Sequence, residues 1–198
     1  MSRQVTQAIL NLLGKIPASH QRASATPEAA ARKLANAAAA KAALVSGGLA
    51  LPPGPIGWLT ILPDLIAIWK LQSRMVADIA AVYGQAAALT KEQMLYCLFK
   101  HAAAQAVRDL VVRVGDRVIV QRTTLRALQK AAERIGVKMT QRAVGAAVSR
   151  WIPIVGAIGV GGYAYYDTAQ VARTAIDLFG VPPGIEPPPR IAVRTAAG

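Results

Sequence analysis

Cysteine, phenylalanine and acidic side chains are scarce in this chain: one Cys, two Phe, and ten Asp plus Glu against 23 Lys plus Arg. Each scarcity excludes something. A lone Cys97 allows no intrachain disulfide, so a reducing compartment is the simpler home. Its neighbours Tyr96 and Leu98 make it a buried thiol rather than a nucleophile. His20 lies in a polar connection and His101 on a helix, neither with a cysteine or carboxylate at ligand spacing, so no metal site is expected. No lysine follows a glycine turn as a phosphate-cradling loop requires. "GAIGVGG" departs from the dinucleotide spacing, and Ala157 with Gly161, small residues four apart, suit close helix packing instead. No catalytic residue and no cofactor is expected, and the chain reads as non-enzymatic.

Long uninterrupted apolar runs are also lacking. No charge stands between Lys41 and Asp64, a gap of 22 residues, long enough to span a bilayer by length alone. Gly47, Gly48, Pro52, Pro53, Gly54, Pro55, Gly57 and Pro63 interrupt it, and a broken backbone in lipid leaves polar groups unpaired. A second run, "WIPIVGAIGVGGYAYY", has 16 residues with four glycines and is too short for a span. The start of the chain develops no secretory h-region.

What is present is helical periodicity. Hydrophobic residues make up 54% of 198, and the mean hydropathy is +0.34, enough for one domain with a substantial core. Val5, Ile9, Leu12, Leu13 and Ile16 mark a short amphipathic helix, expected to pack on the body rather than lie on a membrane. Residues 1–25 thus form an N-terminal helix and loop, 26–180 a helical domain, and 181–198 a proline-rich tail. Thr26-Pro27-Glu28 opens an alanine-rich helix that stops at Gly47-Gly48. A long helix runs from near Ile56 to Gly84, with Pro63 kinking it or marking its start. Thr90-Lys91-Glu92-Gln93 is a capping box. "LVVRVGDRVIVQ" (110–121) fits either a hairpin about Gly115-Asp116 or a helix break, and helix is favoured. The fold class expected is all-α: a single compact bundle of about six helices with two Gly/Pro-broken apolar segments.

Asp64 and Asp167 each stand at the edge of a charge-free run, where an isolated carboxylate would be costly. They are expected to be buried carboxylates that cap a helix or pair with Lys70, Arg74, Arg150 or Arg173. A proton- or ion-handling pair ranks below that.

"RTTLRALQKAAERIGVKMTQR" carries a cation at every fourth position: Arg122, Arg126, Lys130, Arg134, Lys138 and Arg142. On a helix these lie opposite Leu125, Leu128, Ala132, Ile135 and Met139. From Lys100 to Arg142 there are ten basic residues and only three acids, Asp109, Asp116 and Glu133, so the row is not offset by acids one turn away. Arginine outnumbers lysine there, as phosphate partners favour. The net charge of +13 favours anionic partners generally.

Two segments resemble the EcsC family. "GWLTILPDLIAIWKLQSRMVADIAAVYG" is similar to its helix with the Pro63-Asp64-Leu65 step, Arg74 and the closing Ala80-x-x-Tyr83-Gly84. "WIPIVGAIGVGGYAYYDTAQVARTAIDLF" is similar to its later glycine-rich helix. The resemblance covers roughly residues 28–180. It implies a bacterial, mostly helical protein tied to the cytoplasmic membrane and thought of alongside ABC transporters, and it brings no reaction or catalytic residues.

Phosphate can belong to lipid or to nucleic acid. Aromatics interleaved with cations would favour nucleic acid, but here they lie in apolar segments. The expected function is therefore a cytoplasmic protein held peripherally at the inner membrane. It would bind an anionic lipid surface or a membrane protein complex through the basic row and the apolar Gly-rich hairpins. Trp58, Trp69 and Trp151 serve as interface residues, or equally as core. Nucleic-acid binding by the same row is the alternative.

Overall fold

Helix α4 (Lys91–Val107) is the piece around which the rest is arranged. Thr90 starts it with the expected capping box: the Gln93 N–H donates to Thr90 Oγ1 at 3.2 Å and the Thr90 N–H to Gln93 Oε1 at 2.9 Å. Met94 through Phe99 are buried without a gap. Six consecutive residues cannot share one helical face, so α4 must be covered on several sides. The computed structural model describes residues 2–48, 57–114, 117–149 and 153–180. Within them α1 (Ser2–Gly14), α2 (Pro27–Gly48), α3 (Gly57–Val82), α5 (Leu125–Ser149) and α6 (Pro153–Phe179) accompany α4. Of these, α1, α3, α5 and α6 all pack on α4. Together they make the all-α bundle expected, with one small sheet added.

Alanine-rich α2 lies along α6 in the most extensive helix contact of the described residues. Ala31, Ala39 and Ala42 on α2 and Ala164, Ala172 and Ala175 on α6 are buried, and such small side chains permit close axes. Helix α3 packs on both. It ends where Gly84 adopts φ +74°: the Gly84 N–H donates to Ala81 O and the Gln85 N–H to Ala80 O, each at 2.8 Å. That pairing satisfies carbonyls the helix would otherwise leave free, and its left-handed residue favours glycine. Pro63 sits inside α3, exposed. Helix α6 runs unbroken from Pro153 through Gly156, Gly159, Gly161 and Gly162, so the second apolar run is continuous helix from Pro153 onward rather than a broken segment, while Trp151 and Ile152 lie outside the described residues. Each glycine costs a helix only about 1 kcal/mol, and packing along α2 offsets it.

Val5, Ile9 and Leu13 of α1 are buried against the body, as their spacing anticipates. Helix α1 crosses α5 at Gly136. A Cβ there would collide with Thr6 Oγ1 and sit 3.2 Å from both Ser2 O and Thr6 N. The Thr6 hydroxyl is held by its bond to Ser2 O at 2.9 Å and cannot easily swing away. Gly136→Ala is expected to destabilise the protein by about 1–2 kcal/mol, overpacking outweighing the gain in helix propensity. A urea melt measures this, and limited proteolysis should show α1 released first.

The valine-rich segment after α4 is not helical. β1 (Val111–Val114) and β2 (Arg117–Val120) pair antiparallel, with Val111 opposite Val120 and Val114 opposite Arg117. β-Branched residues are stiff in helices and pack well on a pleat. Val111, Val118 and Val120 turn toward the core while Val112 stays exposed, so the two-residue period overrides the helical one favoured from sequence.

Candidate functional site

Helix α5 begins later than the row of cations suggests. Thr124 caps it, its hydroxyl accepting from the Ala127 N–H at 3.3 Å. Glu92, buried on α4, accepts from the Thr123 N–H at 3.1 Å and anchors the approach. Arg122 therefore lies on the connection before α5, exposed but off the helix. Leu128, Ala132 and Ile135 are buried as expected and Met139 is half-buried. Leu125, in the first turn, belongs to the expected apolar sector but is 73% exposed.

On the opposite side Arg126, Lys130, Arg134 and Lys138 are all exposed. Steps of four residues advance about 40° around the axis, so these four fan over about 120°. Arg134 donates to Asp109 Oδ2 at 2.8 Å and is partly neutralised. Arg122, Arg126, Lys130 and Lys138 make no ion pair among the described residues. Val137, 48% exposed, lies within the same face and adds an apolar patch between the cations. Arg142 is on α5, but its side chain lies outside the described residues.

The tryptophans separate. Trp69 is 4% exposed and packs edge-on to Phe99 at 5.3 Å, so it is core and not interface. Helix α3 turns it inward beside Ile68 and Gln72. The side chain of Trp58 and the whole of Trp151 lie outside the described residues.

Asp167 has partners that sequence did not suggest. Its Oδ1 lies 2.6 Å from His101 Nε2 on α4, and its Oδ2 accepts from Gln72 Nε2 on α3 at 2.7 Å. Gln72 Nε2 also donates to Thr168 Oγ1 at 3.2 Å. Two oxygens facing that nitrogen fix the orientation of the amide, and the carboxylate places a proton on His101 Nε2. One carboxylate thus ties three helices together. Gln72 Oε1 and His101 Nδ1 are buried without a partner among the described residues. Among the described residues none of the expected cations pairs with Asp167, and Arg150 lies outside them; Arg74 instead faces Asp78 at 3.8 Å. Asp64 and Asp167 are both half-buried, and neither is isolated. The carboxylate that His101 lacks nearby in sequence arrives from 66 residues away. Gln72 was legible: it falls on the stripe Ile68, Gln72, Met75, Ile79, where an amide must be buried and bonded.

Cys97 is fully buried, which pushes its thiol well above the usual range. It is expected to resist thiol reagents in the folded protein and to react once denaturant is added, measurable by absorbance. No group of three metal-ligating side chains occurs among the described residues. A shallow groove of about 650 Å³ lies at the start of α2, lined by Thr26, Glu28, Arg32, Tyr83, Ile176 and Gly180. Its two charges pair with each other, Arg32 to Glu28 at 2.7 Å.

Fold and site define a basic helical bundle with a charged outer helix and a polar tie in its core. No helix among the described residues is long and apolar enough to cross a membrane. A profile of the EcsC protein family matches residues 14–181, and the chain belongs to that family. No curated protein and no solved structure matches it.

Proposed function

We propose that the protein is a non-enzymatic, peripheral membrane protein whose α5 face rests on an anionic bilayer or on an acidic membrane complex. The observation that carries this reading is the set of exposed, unpaired cations Arg126, Lys130 and Lys138 on one helix whose other face is locked into the core. Cations near an anionic leaflet gain about 1 kcal/mol each, whereas the same charges left in water repel one another along the helix. A cytoplasmic position at the inner membrane fits such a face. Nucleic acid would be recognised by the same charges but calls for stacking groups among them, and the segment from Arg122 to Arg142 contains no aromatic residue.

Vesicle cosedimentation tests the proposal. Pelleting should rise with the fraction of anionic lipid and fall at raised salt. Equal pelleting on neutral and anionic vesicles, or retention by oligonucleotides with none by vesicles, would reject it.

A further inference from the structure

The chain leaves α6 through the shallow groove at the start of α2. Gly180, the last described residue, lines that groove together with Thr26, Glu28, Arg32, Tyr83 and Ile176. Its N–H closes the final turn of α6 on Ile176 O at 2.8 Å, and Gln85 Nε2 donates to Phe179 O at 2.8 Å, so the exit point is held. A Cβ on Gly180 would stand 3.5 Å from the Tyr83 hydroxyl and 3.7 Å from Tyr83 Cε1. The backbone therefore departs along the edge of an aromatic ring that is itself half-buried.

Residues 181–198 follow, outside the described residues. They begin "VPPGIEPPP", with Pro182, Pro183, Pro187, Pro188 and Pro189. Repeated prolines oppose a helix and favour the polyproline II form, whose carbonyls have no internal partner. Such segments dock on aromatic grooves because little entropy is lost, and a tyrosine offers both a ring face and a hydroxyl donor. Glu186 is the only acid after Asp177. On the groove rim Arg32 spends Nε and Nη2 on one oxygen, Glu28 Oε1, at 3.2 and 2.7 Å. A guanidinium carries five donors and has room for a second carboxylate. From Gly180 to Glu186 the polyproline II form covers about 19 Å, and Arg32 borders the same groove.

We propose that this groove is the receptor for the chain's own proline-rich segment, with Pro182 and Pro183 against Tyr83 and Ile176, and Glu186 paired to Arg32. The tether selects this occupant. A segment attached at the groove's edge has an effective concentration on the order of millimolar, which any free peptide would have to exceed. The proposal is independent of the bilayer reading.

Nitration of tyrosines in the full-length protein, mapped by mass spectrometry, tests it. Tyr83 should react slowly, and Pro182→Ser with Pro183→Ser should speed it about tenfold, while Tyr166, 61% exposed, reacts as before. Glu186→Gln should speed it about threefold, the worth of one exposed ion pair. A benzophenone photocrosslinker in place of Ile185 gives a second readout and should join residue 185 to residues 26–32, 83 or 176 of the same chain. Unchanged Tyr83 nitration in the double proline variant, or crosslinks scattered over the bundle, would overturn the proposal. Crosslinks into the groove of a second copy would give the site to another chain's tail, overturning it as well.

Discussion

Asp167→Ala is expected to cost about 3 kcal/mol of folding stability, breaking a half-buried ion-dipole tie. The loss follows from what remains rather than from what is removed. Gln72 is fully buried, so its amide would keep only Thr168 Oγ1 at 3.2 Å. His101 Nε2 would lose its acceptor at 2.6 Å, and α3, α4 and α6 would no longer share one anchor. In a chain of this length each kcal/mol moves Tm by about 2–4 °C, so a drop of about 6–12 °C is expected in a thermal scan. Asp167→Asn keeps the shape and one acceptor oxygen and should cost less than half as much. An alanine variant as stable as the parent would mean that the three-helix tie holds nothing.

Arg126→Gln, Lys130→Gln and Lys138→Gln together are expected to weaken binding to anionic vesicles about a hundredfold. Three cations at about 1 kcal/mol each account for that factor. All three side chains are exposed, and glutamine retains high helix propensity, so stability should change by less than about 0.5 kcal/mol. Arg134→Gln should weaken binding at least as much as any single one of these. Its guanidinium is engaged by Asp109 at 2.8 Å, so losing it removes a cation and frees an acid. Titration of vesicles at fixed salt, with a urea melt beside it, separates lost binding from lost folding.

The helices were largely legible because their signals are local. Thr90 with Gln93, Pro27 at the head of α2 and Gly84 behind α3 act within a few residues, and each sits where its chemistry requires. The burial of Val5, Ile9 and Leu13 followed from periodicity in the same way. What escaped depends on distance or on competing periods. The hairpin at Val111–Val120 carries both a helical and an alternating pattern, and only cross-strand pairing decides between them. The start of α5 turns on Thr124, a capping residue set inside the apparent row of cations, so Arg122 precedes the helix that its spacing assigns it to. Trp69 is as compatible with a lipid interface as with a core until Phe99 is placed against it. The polar tie needed His101 and Asp167, far apart in the chain, to meet.

Lysine footprinting by mass spectrometry tests the central claim most directly, because the reagent reads which amines the partner covers. With anionic vesicles present, Lys130 and Lys138 should become protected from an amine-reactive label, while Lys33, exposed on the outer side of α2, should label as before. Equal labelling of Lys130 and Lys138 with and without vesicles, in a sample that has pelleted, would contradict the account.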